Sequence, residues 1–241
     1  MSLPPVMVMA AGLGTRMLPL TQTRPKPLIQ VGGRALLDRV LDLFAAAGVE
    51  RAVVNAHHLH QQIEAHCAKR SQAPHVRVSL ELEERLETGG GVVKALPHLG
   101  AQFFTTNADS FWVDDDQILD RMARRFEPSK MDFLLLVAKR EQSVGLDGHD
   151  GDFSMSEPGL LRRRDRASGE TVDWNYTGTA ITHAAIFDDA PQGAFSLNVL
   201  FDRALQMGRL YGLELGGTWI TVGTPAELEA AENYLSSAGH I

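Results

Sequence analysis

Residues 6–28 read V-M-V-M-A-A-G-L-G-T-R-M-L-P-L-T-Q-T-R-P-K-P-L, and the change of character after residue 10 points to the fold. Val6 to Ala10 is an uninterrupted apolar run, the pattern of a strand buried on both faces. Small residues and glycine follow at once, so a tight turn succeeds the strand. In open α/β sheets, ligands bind just beyond such strand ends. Ala10, Ala11, Gly12 and Gly14 leave the backbone uncovered, so its N–H groups can face phosphate oxygens. Arg16 can fork onto phosphate, and Lys26, between Pro25 and Pro27, is a cation on a stiffened segment. No G-x-G-x-x-G opens a helix and no G-K-[ST] is present, so this is neither a dinucleotide fingerprint nor a Walker loop. The prolines make it an extended wrap around a ligand.

The rest of the first half alternates in the same way. Leu36, Leu37, Val40, Leu41 and Phe44 fall at helical spacing and Gly48 ends that helix. Strands are predicted at 52–55, 76–80, 103–107 and 133–137, with a short helix through Leu59 and Ile63. A further helix carries Ile118, Leu119, Met122 and Phe126. Such spacing implies an α/β fold, a mostly parallel, doubly wound sheet flanked by helices. Residues 140–175 are rich in Gly, Asp and Arg, with short strands expected near Phe153 and Val172. They read as a β-rich insertion or lid within one domain of residues 1–241. Residues 179–186 are expected to rejoin the sheet, Ser196 to cap a helix through Leu205, and Thr224-Pro225-Ala226-Glu227 to start the last helix.

Composition narrows the function. The chain of 241 residues, 44% hydrophobic and 22% charged, is that of an ordinary globular protein. A net charge of −7 argues against nucleic acid as a partner, which needs clustered cations, but not against a nucleotide. No apolar run approaches the ~18 residues of a membrane span, and the start lacks a signal-peptide pattern; a cytoplasmic protein with no membrane partner is expected. The single Cys67 excludes an internal disulfide and a Cys-based zinc site. His57, His58 and His60 lack a companion ligand set at metal-binding spacing. Asp114, Asp115 and Asp116 read as caps for the next helix, and Arg162, Arg163 and Arg164 as a solvated face.

Two further stretches carry chemistry. L-E-T-G-G-G (86–91) puts three glycines at the start of a short helix, where a flat base could lie against bare backbone. N-A-D (107–109) ends the strand F-F-T-T-N. A carboxylate there, facing a phosphate loop, is placed to hold Mg²⁺.

G-L-G-T-R followed by P-K-P resembles the signature loop of sugar-1-phosphate nucleotidyltransferases. The L-E-T-G-G-G wording, with K-A-L-P after it, is most similar to bacterial N-acetylmuramate α-1-phosphate uridylyltransferases. The resemblance runs from Val6 to about Leu235. It implies a Rossmann-like, GT-A-like nucleotidyltransferase fold, with Mg²⁺ as cofactor and a nucleoside triphosphate and a sugar 1-phosphate as partners. It also implies site residues. Arg16, Lys26 and Asp109 would be catalytic. Ala11, Gly12, Gly14, Thr15, Arg16, Lys26, Glu87, Thr88, Gly89 and Gly90 would bind nucleotide. Asn107, Asp152, Tyr176 and Gly178 would meet the sugar. The metal would sit on Asp109 and position 221, where the family usually has Asp and this chain has Thr221. A neutral hydroxyl is the poorer Mg²⁺ ligand. Three readings stay open here: UMP transfer to N-acetylmuramate 1-phosphate, the same chemistry with GTP and mannose 1-phosphate or CTP and an alcohol phosphate, and a non-catalytic nucleotide-sugar binding module. A monomer or small homo-oligomer is expected.

Overall fold

The computed structural model describes residues 3–146 and 148–240. The strands are β1 (Val6–Met9), β2 (Gln30–Val31), β3 (Arg34–Ala35), β4 (Arg51–Ala56), β5 (His75–Leu80), β6 (Gln102–Asn107) and β7 (Ser110–Val113). They continue with β8 (Phe133–Lys139), β9 (Ser143–Val144), β10 (Phe153–Ser156), β11 (Leu160–Arg163), β12 (Trp174–His183), β13 (Leu210–Glu214) and β14 (Thr218–Thr221). The α-helices are α1 (Leu36–Ala46), α2 (His60–Cys67), α3 (Glu87–Ala95), α4 (Ile118–Arg125), α5 (Asn198–Gln206) and α6 (Pro225–Ser237).

One nine-stranded sheet, in the order β10-β11-β13-β8-β12-β6-β1-β4-β5, forms the centre. β5, β4, β1 and β6 pair in parallel, as do β8 and β13. β12 runs antiparallel between β6 and β8, so the mostly parallel sheet that the spacing implies is a mixed one. Apolar residues cover both faces. Val8, Phe44, Phe104 and Ile181 belong to one cluster, Met7, Phe103, Phe133 and Phe201 to the other. This is why β1 and β8 read as unbroken apolar runs rather than alternating ones. Within residues 140–175, β10 and β11 extend the edge of the main sheet beyond β13. β9 instead joins β14 and β7 in a small three-stranded sheet. Among the described residues no helix is long and apolar enough to cross a membrane.

Some local expectations change. The Asp114–Asp116 run does not cap α4, whose first turn has no side-chain cap. Asp115 instead accepts from Arg121 Nη1 at 2.8 Å and from Gly216 N–H at 2.9 Å, tying α4 to the loop before β14. The strand expected near Val172 begins at Trp174; Val172 N–H donates to the Asp150 carbonyl at 2.8 Å. Arg162 is exposed as expected, with a 59% exposed side chain, whereas Arg164 is largely covered at 13%; the three pair with Glu170, Asp202 and Asp150. The start of α6 follows expectation, with Thr224 Oγ1 accepting from Glu227 N–H at 3.2 Å. The Glu227 carboxylate accepts from Gly223 N–H rather than from the cap residue's own N–H.

Candidate active site

β1, β4 and β6 end side by side, and their C-terminal ends carry the site. Past β1 the chain turns on Gly14, at φ 65°. A Cβ there would lie 2.9 Å from the Thr21 methyl and 3.1 Å from Lys26 Cβ. Thr21 closes the loop by donating to the Gly14 carbonyl at 2.8 Å, and Met17 anchors it in the core. Gly12 has open space where a side chain would stand, so its backbone is accessible from the cleft. Pro25 and the turn Lys26–Leu28 then return the chain to the same place. Lys26 Nζ meets Asp109 Oδ2 at 2.5 Å.

Of the residues expected in the site, Ala11, Gly12, Arg16, Glu87, Thr88, Asn107 and Asp109 line one cleft of about 390 Å³. Met9, Asn55 and Arg85 line it too. Gly14, Thr15 and Lys26 belong to the same loop but do not line the cleft. A larger cleft, between residues 139–146, 148–149 and 173–174, contains none of the signature residues. Arg16 reaches the segment that follows β14: a Cβ on Gly223 would lie 3.0 Å from its Nη2.

The triple glycine plays a different part from the one its sequence suggests. Gly89 and Gly90 are buried, and both N–H groups point at the Phe195 carbonyl, at 2.8 and 3.3 Å. A Cβ on Gly89 would strike the Phe195 ring at 2.2 Å, and one on Gly90 the Gly193 carbonyl at 2.3 Å. These glycines therefore let the 193–195 segment close on α3, and their N–H groups are not open to a base. The cleft side of this turn belongs to Glu87, at φ 59°, and Thr88. The Thr88 hydroxyl accepts from Leu197 N–H at 2.8 Å.

The sugar-side expectations divide. Asn107 ends β6 and packs on Gly178, where a Cβ would stand 2.6 Å from the Asn107 amide nitrogen. Gly178, at φ 85°, sits in the bulge where β12 shifts register against β8. Tyr176 faces the opposite way. Its ring packs edge-on to Phe201 at 5.5 Å, its hydroxyl is enclosed, and burial pushes the phenol pKa upward. Asp152 accepts from Tyr176 N–H at 3.0 Å and so fixes the start of β12. Neither side chain lines the cleft.

Thr221 ends β14 opposite Ser110, and the next residue, Val222, donates its N–H to the Asp109 carbonyl at 2.9 Å. The backbones at the two expected metal positions thus lie close together, while Thr221 itself is not among the residues that line the cleft. Among the described residues no three His, Cys, Asp or Glu side chains gather to form a cage. Asp109, a hard oxygen donor 30% exposed at the cleft, suits a cation that takes its remaining ligands from substrate phosphates and water.

Besides Met9, two polar lining residues were not found by sequence reading. Asn55 interrupts the apolar run of β4 with a buried polar group at the strand end nearest the phosphate loop, a signal that could have been used. Arg85 donates to Glu87 Oε1 at 3.1 Å, and nothing in its charged neighbourhood sets it apart.

A glycine-rich loop at a strand end, with a lysine folded back onto a carboxylate from a neighbouring strand, agrees with the family comparison. Residues 6–190 match the MobA-like NTP transferase domain. The chain belongs to this family, and it is a nucleotidyltransferase. It is 42% identical to the N-acetylmuramate alpha-1-phosphate uridylyltransferase of Caulobacter vibrioides, over 96% of this chain and 97% of that one. To the protein of the same name from Neisseria meningitidis serogroup B it is 31% identical, over 94% and 96%. Among solved structures, HddC from Yersinia pseudotuberculosis complexed with GMP-PN superposes with a TM-score of 0.76 at 20% identity, covering 96% of this chain and 99% of that one. The inositol-1-phosphate CTP transferase from T. maritima gives 0.76 at 15% identity, covering 98% and 97%. At those identities the structures speak for the fold alone.

Proposed function

We propose that this enzyme transfers UMP from UTP to N-acetylmuramate 1-phosphate, releasing pyrophosphate, with Mg²⁺ as cofactor and in the cytoplasm. We read residues 1–241 as one nucleotidyltransferase domain and 140–175 as a β-rich insertion within it. The observation that carries the reading is the Lys26–Asp109 contact under the Gly12 loop. It joins a phosphate-directed cation and a metal-directed carboxylate at one point. The choice of UTP and of N-acetylmuramate rests on the relatives' names and the L-E-T-G-G-G motif.

In this reading the sugar phosphate oxygen attacks the α-phosphorus of UTP in line and the pyrophosphate oxygen leaves, with no covalent enzyme intermediate. Catalysis is then positioning and charge neutralisation. Arg16 holds the β- and γ-phosphates and steadies the leaving group. Lys26 moves from Asp109 to bridge the α-phosphate and the incoming phosphate. Gly12, Gly14 and Thr15 offer backbone donors, Glu87 and Thr88 border the base, and Asn107, held by Gly178, faces the sugar. Asp109, with Thr221 beside it, would hold Mg²⁺, which supplies charge neutralisation at the α-phosphate. The reading is tested by incubating the enzyme with UTP and N-acetylmuramate 1-phosphate, with and without Mg²⁺. UDP-N-acetylmuramate should form only with the metal. Tight binding of both substrates without product would support a binding module instead.

A further inference from the structure

The third glycine of the 89–91 run has a neighbour unlike the other two. A Cβ on Gly91 would lie 2.7 Å from Asn55 Nδ2 and 2.9 Å from Glu81 Oε1. Those two side chains form a buried relay. Ala10 N–H, where the phosphate loop begins, donates to Asn55 Oδ1 at 2.7 Å. Asn55 Nδ2 donates to Glu81 Oε1 at 2.7 Å, and Leu86 N–H, where the base-side turn begins, donates to Glu81 Oε2 at 2.8 Å. Glu81 itself is fixed at the end of β5. Its N–H donates to the Ala56 carbonyl at 2.9 Å, and its carbonyl accepts from His57 Nδ1 at 2.6 Å.

Glu81 is 1% exposed and Asn55 2%, and both Glu81 oxygens are held by neutral donors. Burying a carboxylate without a cation is costly, and an apolar side chain would fill the space at lower cost. What the carboxylate supplies is two acceptors on one rigid frame, one for each loop. We propose that Glu81 is a positioning residue, setting through Asn55 the spacing between the phosphate loop at Gly12 and the base-side turn at Glu87 and Thr88. The assignment rests on the nucleotide reading of the cleft. A nucleoside triphosphate must touch both loops at once, so a change in their spacing harms it more than a ligand that touches one. Misplacement by ~1 Å can cost about 100-fold in rate.

Glu81→Gln keeps the shape but turns one acceptor into a donor. Leu86 N–H and Asn55 Nδ2 both require an acceptor, and Asn55 cannot flip without turning its own donor toward Ala10 N–H. Adding Asn55→Asp removes the conflict, because a carboxylate at position 55 accepts from both Ala10 N–H and the introduced amide. The test is calorimetric titration with UTP, which spans both loops, and with inorganic tripolyphosphate, which engages the phosphate loop alone. In Glu81→Gln the Kd for UTP should rise about tenfold or more while that for tripolyphosphate stays within about twofold. The double variant should recover UTP binding to within about threefold of the parent. Unchanged UTP binding in Glu81→Gln would overturn the proposal, as would equal weakening of both ligands, the mark of a purely structural role. If Glu81→Gln does not fold, the double variant decides, and a folded double variant that binds tripolyphosphate but not UTP would also overturn it. A parent that binds another nucleoside triphosphate in place of UTP would refute the base assignment alone, and the comparison then runs with that nucleotide.

Discussion

Lys26 and Asp109 stand 83 positions apart in the chain yet share an ion pair, and this contact makes single-residue predictions sharp. Lys26→Ala and Arg16→Ala each remove a phosphate-directed cation without touching the core. Turnover should fall about 100-fold or more, with the melting temperature held; turnover within twofold of the parent in both variants would refute these roles. Position 221 offers a gain-of-function comparison. Thr221→Asp adds a carboxylate beside Asp109, so the Mg²⁺ concentration for half-maximal activity should fall, because carboxylates are better Mg²⁺ ligands than hydroxyls. Asp109→Asn should raise it. A magnesium titration of the three proteins at saturating nucleotide decides, and an unchanged midpoint in Asp109→Asn would remove the metal assignment. The positions of Arg16 and Asp109 at the cleft, and of Lys26 against Asp109, follow the motifs and the resemblance they carry. Asn55, Arg85 and Glu81 were not legible in the sequence, since their value comes from hydrogen bonds between segments that only the folded register brings together. Tyr176 misled for the converse reason: its motif marks the right strand, but the alternation along β12 turns the ring toward Phe201.

Among the elements, α3 shows most clearly how one pattern serves two ends. Three glycines in a nine-residue helix lower its intrinsic stability, each by about 1 kcal/mol relative to alanine. On an open helix, Gly→Ala would therefore stabilise. Here the Cβ of Gly90→Ala would meet a backbone carbonyl at 2.3 Å, whereas that of Gly89→Ala would meet a phenyl ring. Overpacking of this kind costs about 1–3 kcal/mol, enough to cancel the propensity gain or exceed it. Both variants should melt lower, Gly90→Ala more so because a backbone carbonyl cannot rotate away. Each kcal/mol corresponds to ~2–4 °C in a chain of this size. A Gly90→Ala protein that melts higher would mean that the 193–195 segment does not close on the helix. The helix itself was legible from sequence. The reason for its glycines was not, because Phe195 and Gly193 lie about a hundred residues away.

At the scale of the molecule, the alternation of short apolar runs with helical segments foretold the parallel half of the sheet, since a strand buried on both faces needs helices on each. The antiparallel placement of β12 and the edge position of β10 and β11 left no comparable trace, because strand order depends on pairing between distant segments. That order nevertheless makes the cleft: β1, β4 and β6 present the phosphate loop, Asn55 and Asn107 together, and β12 brings Gly178 against Asn107. Substrate choice is the direct measure of what a site assembled this way does. The deciding measurement is pyrophosphate release across a matrix of the four common ribonucleoside triphosphates and a set of sugar 1-phosphates, all with Mg²⁺. Release should be fastest with UTP and N-acetylmuramate 1-phosphate and should fall when Lys26→Ala replaces the parent. No release with any pair, or equal release from the parent and Lys26→Ala, would contradict the account.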